Sequence, residues 1–478
     1  MITRDHESAK ARWTSAELAA IVGGRLVGAA DDLAVAGIST DSRSIAVGEG
    51  FLALRGENFD GLDFAAAASA HGAVLIIAEA AVPGLASLVV DSAVDAYAAI
   101  ARHHLADLRQ RTNMAVVGIT GSSGKTSTKD LLVSVLQSQM NVTWPIGSFN
   151  NDIGLPATVL AADENTDVLV LEMGMRGMRH IERLCSIAAP DISVVLNVGL
   201  AHVGEVGDID SIARAKSEIV RFARPDSIAV LNADDQRVCT MANVAPGDVT
   251  YFGQHQTDRR SSNNLEVSAS DIEIDNQARP SFTLTIAGED VRARVSMRVS
   301  GEHQVSNALA VAAVAHQLGM ACADIAAQLS TAKVASDWRM DVVATKVGVT
   351  VVNDAYNANP QSMAAGLKAA AAMARQGRLI AVLGDMRELG NMTQAEHARI
   401  GELASHLGVH DLYFVGEHGE ALLASCPEAI VGLSWQQAAD AVAENANPGD
   451  LVFIKASRGV GLERVAGQLI DAFGRVDS

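Results

Sequence analysis

Gly121, Ser122, Ser123, Gly124, Lys125, Thr126 and Ser127 have the residue types and order that hold the phosphates of a nucleoside triphosphate. Gly121 and Gly124 let the backbone turn tightly with its N–H groups inward, and the stretch KTSTKDLLVSVLQS supplies a helix whose N-terminus favours anions. Lys125 can reach the terminal phosphates, and Thr126 can offer its hydroxyl to Mg²⁺. The usual G-x-x-x-x-G-K-[ST] pattern wants glycine where Ile119 stands, yet the cradle is physically complete without it. The competing reading is a strand-to-helix turn with a chance Gly-Lys-Thr. The strand MAVVGIT before it and the helix after it argue against that.

Other residues could serve the same chemistry, though each has an ordinary reading. Glu172 ends the apolar run DVLVLEMG and could bind a metal from a sheet edge beside the loop; a strand-end Glu is equally a solvated turn residue. His202 follows the run ISVVLNVG, and Lys216 lies fourteen residues on, in the helical SIARAKSEIVRF. A lone His or a helical Lys is more often structural or solvated. In YNANP, Pro360 after Asn359 favours an extended or turn conformation rather than helix, leaving amides to hold a polar peptide. Ser457 and Arg458 could grip a carboxylate, because an Arg fork matches that geometry; a solvated loop Arg is the alternative.

The elements that must position these residues are short apolar runs alternating with Ala-rich amphipathic stretches, the pattern of β-α-β units and mostly parallel sheets. The 478 residues, at roughly 100 to 200 per domain, predict several domains, and 49% hydrophobic content gives each a core. The expectation is an α/β protein of three domains. Residues 1–112 form the first, 113–333 a central P-loop parallel-sheet domain, and 334–478 a C-terminal doubly wound, Rossmann-like domain. The polar stretch GQHQTDRRSSNNLEVSASD leads into a small β excursion with SFTLTIAG and VRARVSM as alternating strands. In open α/β sheets ligands bind at the C-terminal strand ends, where the candidate residues fall.

A net charge of −19 disfavours a broad nucleic-acid surface, since phosphate backbones are bound by clustered Lys and Arg. Cys185, Cys239, Cys322 and Cys426 stand far apart with no C-x-x-C pair, which fits a reducing compartment. The first residues lack a continuous apolar run, and the most apolar later stretch is broken by Glu79, Pro83 and Gly84. A soluble cytoplasmic protein is expected, without membrane insertion.

Five ordered motifs, GITGSSGKTST, GSFNNDIGLPATVL, LEMGMRGMRHIERL, NVGLAHVGEVGDIDSIARAKSEI and SGEHQVSNALAVAAVA, resemble the central domain of the Mur ligases. These are the ATP-dependent, ADP-forming amide synthetases of peptidoglycan assembly. In that family the loop's first glycine stands one residue early, as Gly118 does. DAYNANPQSM, VLGDMRELG and IKASRGVGLERV resemble the branch joining D-Ala-D-Ala to a UDP-MurNAc-tripeptide, and the similarity runs from about Gly37 to Val465.

The resemblance implies ATP and two Mg²⁺ ions, with Thr126, Glu172, His202 and Lys216 as metal-holding residues and Lys125 on the phosphates. It implies a carbamylated Lys216, the amine having added CO₂ to become an anion. His303 and Asn307 would lie near adenine, with Arg339 and Asp354 reaching phosphate and ribose. The family often reads His-Asn where this chain has His303-Gln304. Ser42, Arg43, Asn58 and Asp60 would bind the UDP-sugar in the first domain, and Ser148, Asn150, Asn151, Asn357, Asn359, Ser457 and Arg458 the peptide substrates. Family members commonly follow Asp-Gly with His, whereas Leu62 and Asp63 follow Gly61 here. The third domain would close about a hinge near Lys333 to Trp338, and the family suggests a monomer. Two rivals stand beside this reading, one sharing its P-loop and carbamate-type chemistry and one from a different class. A folate polyglutamate synthetase would lack the long segment ahead of the P-loop, and a nucleotide-dependent switch protein would not turn over a ligase reaction.

Overall fold

Each apolar run read as a strand is a strand in the computed structural model, which describes residues 11–56, 59–201, 203–254, 265–374 and 377–476. The chain divides into two units. One gathers the described residues of Met1–Val117 with Met140–Met173 and Glu182–Pro190; the other gathers Gly118–Gln139, Gly174–Ile181 and those of Asp191–Ser478.

In the first unit, five short strands lie in the order Arg25–Val27, Ser87–Val89, Leu75–Ala78, Gly50–Leu52 and Ile38–Ser39. Pairing is parallel except at Arg25–Val27, which runs antiparallel to its neighbour. The helix Ala93–Arg111 begins where the Ser92 side chain accepts a hydrogen bond from the Asp95 N–H, and its last turn carries Arg109 and Arg111, which complement the helix dipole. It packs on the helix Gly154–Ala161, where His104 Nε2 lies 2.9 Å from the Ala162 carbonyl oxygen. The strands Val142–Thr143 and Val168–Glu172 pair in parallel in the same unit.

In the second unit, strands Ile192–Val195, Ile228–Asn232, Asp248–Gly253 and Val267–Ile274 are parallel neighbours, followed by antiparallel Pro280–Ile286 and Arg292–Ser296. The strand Ala115–Thr120, on the other side of Ile192–Val195, carries the chain into the P-loop. The predicted β excursion is therefore present, although residues 255–264 of the polar stretch before it lie outside the described residues. A separate sheet has the order Asp341–Ala344, Thr350–Asn353, Leu451–Lys455, Leu379–Gly384, Asp411–Val415 and is parallel after its first antiparallel pair. The edge strand Asp341–Ala344 is mostly exposed, whereas the other four are buried almost throughout, as continuous apolar runs are. Among the described residues no helix is long and apolar enough to cross a membrane.

Candidate active site

The strand Ala115–Thr120 ends at the phosphate loop, and the helix Lys125–Leu136 begins directly after Gly124. Gly124 has φ +84°, and a Cβ there would lie 2.7 Å from Asn307 Oδ1, so both backbone conformation and space demand glycine. The loop is strapped to the neighbouring strand end. Ser122 N donates to the Asn197 carbonyl (3.1 Å), and Ser123 N donates to Asn197 Oδ1 (3.0 Å). Asn197 Nδ2 returns a bond to the Ser123 carbonyl at 3.2 Å. The Ser122 hydroxyl accepts from Gly199 N at 2.8 Å and donates to Gly199 O at 3.1 Å. Two loop N–H groups expected to face an anion are thus engaged by Asn197. Lys125 Nζ donates to the Gly121 carbonyl at 2.8 Å, so its ammonium folds back over the loop, while Thr126 and Ser127 are buried at the start of the helix.

Asn307 stands beside this loop on the helix Gln304–Gln317, its Nδ2 donating to Gln304 Oε1 at 2.9 Å. The glutamine that departs from the common His-Asn pattern therefore gives Asn307 a fixed partner. His303 precedes that helix and is exposed.

Lys216 lies on the helix Ile209–Arg221, whose start is fixed by Asp208 accepting from Ser211 N at 2.6 Å. It falls on the buried stripe with Ile212, Ala215 and Ile219 and is itself 1% exposed. Burial, and then the charge of Lys125, hold its amine well below the ordinary lysine value of 10.5. Such a shift favours the neutral, nucleophilic form of the amine.

A second group surrounds the turn after the strand Thr350–Asn353. Asp354 Oδ2 accepts from Lys455 Nζ at 2.6 Å, and Asp354 Oδ1 accepts from Met340 N at 3.1 Å. Asn359 is extended, as expected before proline. A helix nonetheless begins at Pro360, because its missing N–H and fixed φ suit the first helical position, and the Asn359 side chain caps it through Ser362 N at 2.9 Å. Asn359 Nδ2 also donates to the Ser122 carbonyl of the phosphate loop at 3.2 Å. Asn357 Oδ1 accepts from Ala358 N. Ser457 Oγ accepts from Arg387 N at 2.9 Å and donates to Ala358 O at 3.3 Å. The Arg339 guanidinium lies 4.1 Å from the Tyr356 ring centre, and its Nε is buried with no hydrogen-bond partner among the described residues. Arg458 lies 4.1 Å over Trp338. Trp338, the last residue of the segment expected to be a hinge, has φ +58°, and Met340 just beyond it has φ +54°; Ser336 N donates to Asp130 Oδ2 at 2.9 Å, and Asp130 itself pairs with the fully buried Lys129 on the P-loop helix.

In the first unit, Glu172 is buried at the end of its strand, and its Oε1 accepts from Ser148 Oγ at 2.9 Å and from Asn150 Nδ2 at 3.0 Å. Asn151 Oδ1 instead accepts from Ile153 N and Gly154 N, starting the helix Gly154–Ala161. Ser42 is buried with its carbonyl 2.8 Å from His71 Nδ1, Arg43 makes two side-chain bonds and one backbone bond to Asp41, and Asp60 pairs with Arg55. His202 and Asn58 lie outside the described residues.

The second unit thus brings together the P-loop, Asn307, Asp354 and Asn359, and the first brings together Ser148, Asn150 and Glu172. Sequence reasoning missed Asn197 and Lys455. Each is a polar residue closing an apolar strand run, at the strand end where ligands bind, and that position was the available signal.

A P-loop set against residues of a further parallel sheet defines a nucleotide-binding α/β protein. The Mur ligase family catalytic domain matches residues 34–108, the Mur ligase middle domain 119–315, and the glutamate ligase domain of Mur ligases 338–458. The UDP-N-acetylmuramoyl-tripeptide--D-alanyl-D-alanine ligase of Mycobacterium tuberculosis is 40% identical over 96% of this chain and 97% of its own length. The enzyme of that name from Bacillus subtilis is 33% identical over 91% and 93%. Among solved structures, MurF from Acinetobacter baumannii superposes with a TM-score of 0.87 at 29% identity, covering 97% of this chain and 100% of that one. A MurF ligase from Thermotoga maritima in complex with ADP gives 0.79 at 29%, covering 91% and 97%. The chain belongs to the Mur ligase family.

Proposed function

We propose that this chain is an ATP-dependent, ADP-forming ligase that joins D-alanyl-D-alanine to the terminal carboxylate of a UDP-N-acetylmuramoyl-tripeptide. The observation that carries the reading is Lys216, a fully buried lysine whose amine is held well below its ordinary value by burial and then by the charge of Lys125. A ligase that adds CO₂ to it gains an anion beside a crowded triphosphate.

The chemistry of the donors suits Mg²⁺: the Thr126 hydroxyl, the Glu172 carboxylate and the carbamate oxygens of a modified Lys216 would be hard oxygen ligands, with His202 as a further one. When bound, the two ions would neutralise charge on the β- and γ-phosphates. Lys125 binds the terminal phosphates, and the P-loop held by Asn197 orients them. The substrate carboxylate oxygen attacks the γ-phosphorus and the bond to the β-phosphate oxygen breaks, giving ADP and an acyl phosphate. A carboxylate is a poor electrophile, and the phosphoryl group supplies its leaving group. The dipeptide amine then attacks the carbonyl, the C–O bond to phosphate breaks, and the amine's proton is lost. Positioning and electrostatic stabilisation account for most of the catalysis.

Residues 1–112 would bind the UDP-sugar through Ser42, Arg43, Asn58 and Asp60, and 113–333 the ATP. Residues 334–478 would close over the nucleotide through Arg339 and Asp354 and hold the dipeptide through Asn357, Asn359, Ser457 and Arg458. His303 and Asn307 would flank adenine. Ser148 and Asn150, bonded to Glu172, would line the tripeptide end with Asn151. Closure about 333–338 keeps water from the acyl phosphate, in a cytoplasmic enzyme acting as a monomer. The test is phosphate release from ATP with each substrate omitted in turn. Release should require both, and turnover indifferent to either would reject the reading. Mass detection of the amide, with lysine- and diaminopimelate-containing tripeptides in competition, identifies the acceptor.

A further inference from the structure

We infer that Lys455 is the positioning residue for Asp354 and through it sets how the nucleotide ribose is held. The inference rests on the proposed reading of Asp354 as the ribose contact. The strands Thr350–Asn353 and Leu451–Lys455 are parallel with Asn353 beside Ile454, and Asp354 N donates to the Ile454 carbonyl at 2.9 Å. Asp354 and Lys455 therefore leave the sheet side by side. A lysine ammonium has three N–H donors, and here all three are used: on Asp354 Oδ2 (2.6 Å), Asn357 O (2.9 Å) and Asp354 O (3.3 Å). None is left for a ligand, so Lys455 acts through the turn it binds.

The side chains are 3% and 14% exposed, so each charge depends on the other. With Lys455 on Oδ2 and Met340 N on Oδ1, both carboxylate oxygens are fixed while each keeps a second acceptor site. Two oriented acceptors suit the two hydroxyls of a ribose. Gly366 completes the enclosure, since a Cβ there would lie 3.2 Å from Asp354 Oδ2 and 2.6 Å from the Phe453 ring. Loss of Lys455 leaves the Asp354 carboxylate without its buried cation and free to turn.

The experiment compares ATP with 2′,3′-dideoxy-ATP in steady-state assays of the full-length enzyme, using wild type, Asp354→Asn, Lys455→Met and the double variant. Wild type should prefer ATP in kcat/KM by about tenfold or more, since a site built to bond hydroxyls rejects an analogue without them. Lys455→Met should bring that preference close to one, as Asp354→Asn does, with the change in KM rather than kcat. A merely structural role would lower stability and activity with both nucleotides and leave the ratio intact; that result, in a folded Lys455→Met, overturns the inference. Absence of preference in wild type would instead reject the ribose reading of Asp354 and the inference with it. Should Lys455→Met melt below the assay temperature, the double variant, with no unpaired charge, decides. Its KM for ATP should stay within about threefold of Asp354→Asn alone, and a multiplicative increase overturns the coupling.

Discussion

Lys216 and Lys455 are both buried lysines in the same unit, and their surroundings make them chemically opposite. Lys455 has an anion and two carbonyl oxygens around its side-chain nitrogen. Lys216 lies on an apolar helix stripe with the Lys125 cation as its charged neighbour, so its charge is suppressed. Burial alone does not decide what a lysine does. The supply of acceptors decides whether it becomes a structural cation or a reactive amine.

The largest expected effect comes from Lys216→Met. Activity should fall on the order of 10²- to 10³-fold or more, because an anion that holds metal against the triphosphate is lost. The fold should not suffer, and the sign of its pH dependence follows from linkage. The folded-state pKa of Lys216 is depressed, so between that value and 10.5 the unfolded chain binds a proton that the folded chain does not. Wild type therefore loses stability from this group as pH falls through that window. In nucleotide- and CO₂-free buffer, Lys216→Met should gain on wild type as pH falls below 10.5 and then level off. Urea melts at several pH values measure it, and a constant or reversed difference would break the contrast.

Lys455→Met should do the opposite and destabilise the chain, by about 3–5 kcal/mol, since it strands a buried carboxylate. Thermal melts of the two variants side by side give the comparison its sharpest form. Asn197→Ala should have an intermediate effect, about 1–2 kcal/mol, with a raised KM for ATP, because Ser123 loses three bonds to the side chain. The smallest effect belongs to Arg43→Ala, whose side chain is 86% exposed. No stability change should be measurable at neutral pH. The bonds from Arg43 hold the Asp41 carboxyl down at about 2, and an NMR titration should find it moving up toward 3.8 in the variant. Asp41's small stabilising contribution, present above 3.8, is lost as pH falls through about 2.

The phosphate loop was legible because everything it needs is local: a strand, two glycines, a lysine and a helix within one short stretch. Four strands of the C-terminal sheet, Thr350–Asn353, Leu379–Gly384, Asp411–Val415 and Leu451–Lys455, are likewise short, mainly apolar local runs. The bracing residues were not. Lys455 meets Asp354 only because two strands about a hundred residues apart pair in one particular register, and Asn197 meets Ser123 by the same kind of pairing. Lys216 was found through a family motif, yet its place beside Ile212 and Ile219 on an apolar face carried a local signal of burial. Asn151 was read as a substrate contact, and the structure uses its side chain on the N–H groups of Ile153 and Gly154, a bond that composition does not distinguish from ligand binding.

The central claim is that ATP activates the tripeptide's carboxylate. Oxygen-18 placed in that carboxylate and followed by mass spectrometry through one turnover tests it most directly. The account predicts one labelled oxygen in each inorganic phosphate released with ADP, matched by loss of one label from the amide product. Unlabelled phosphate, with both labelled oxygens still on unreacted tripeptide or ATP consumed without amide, would contradict it.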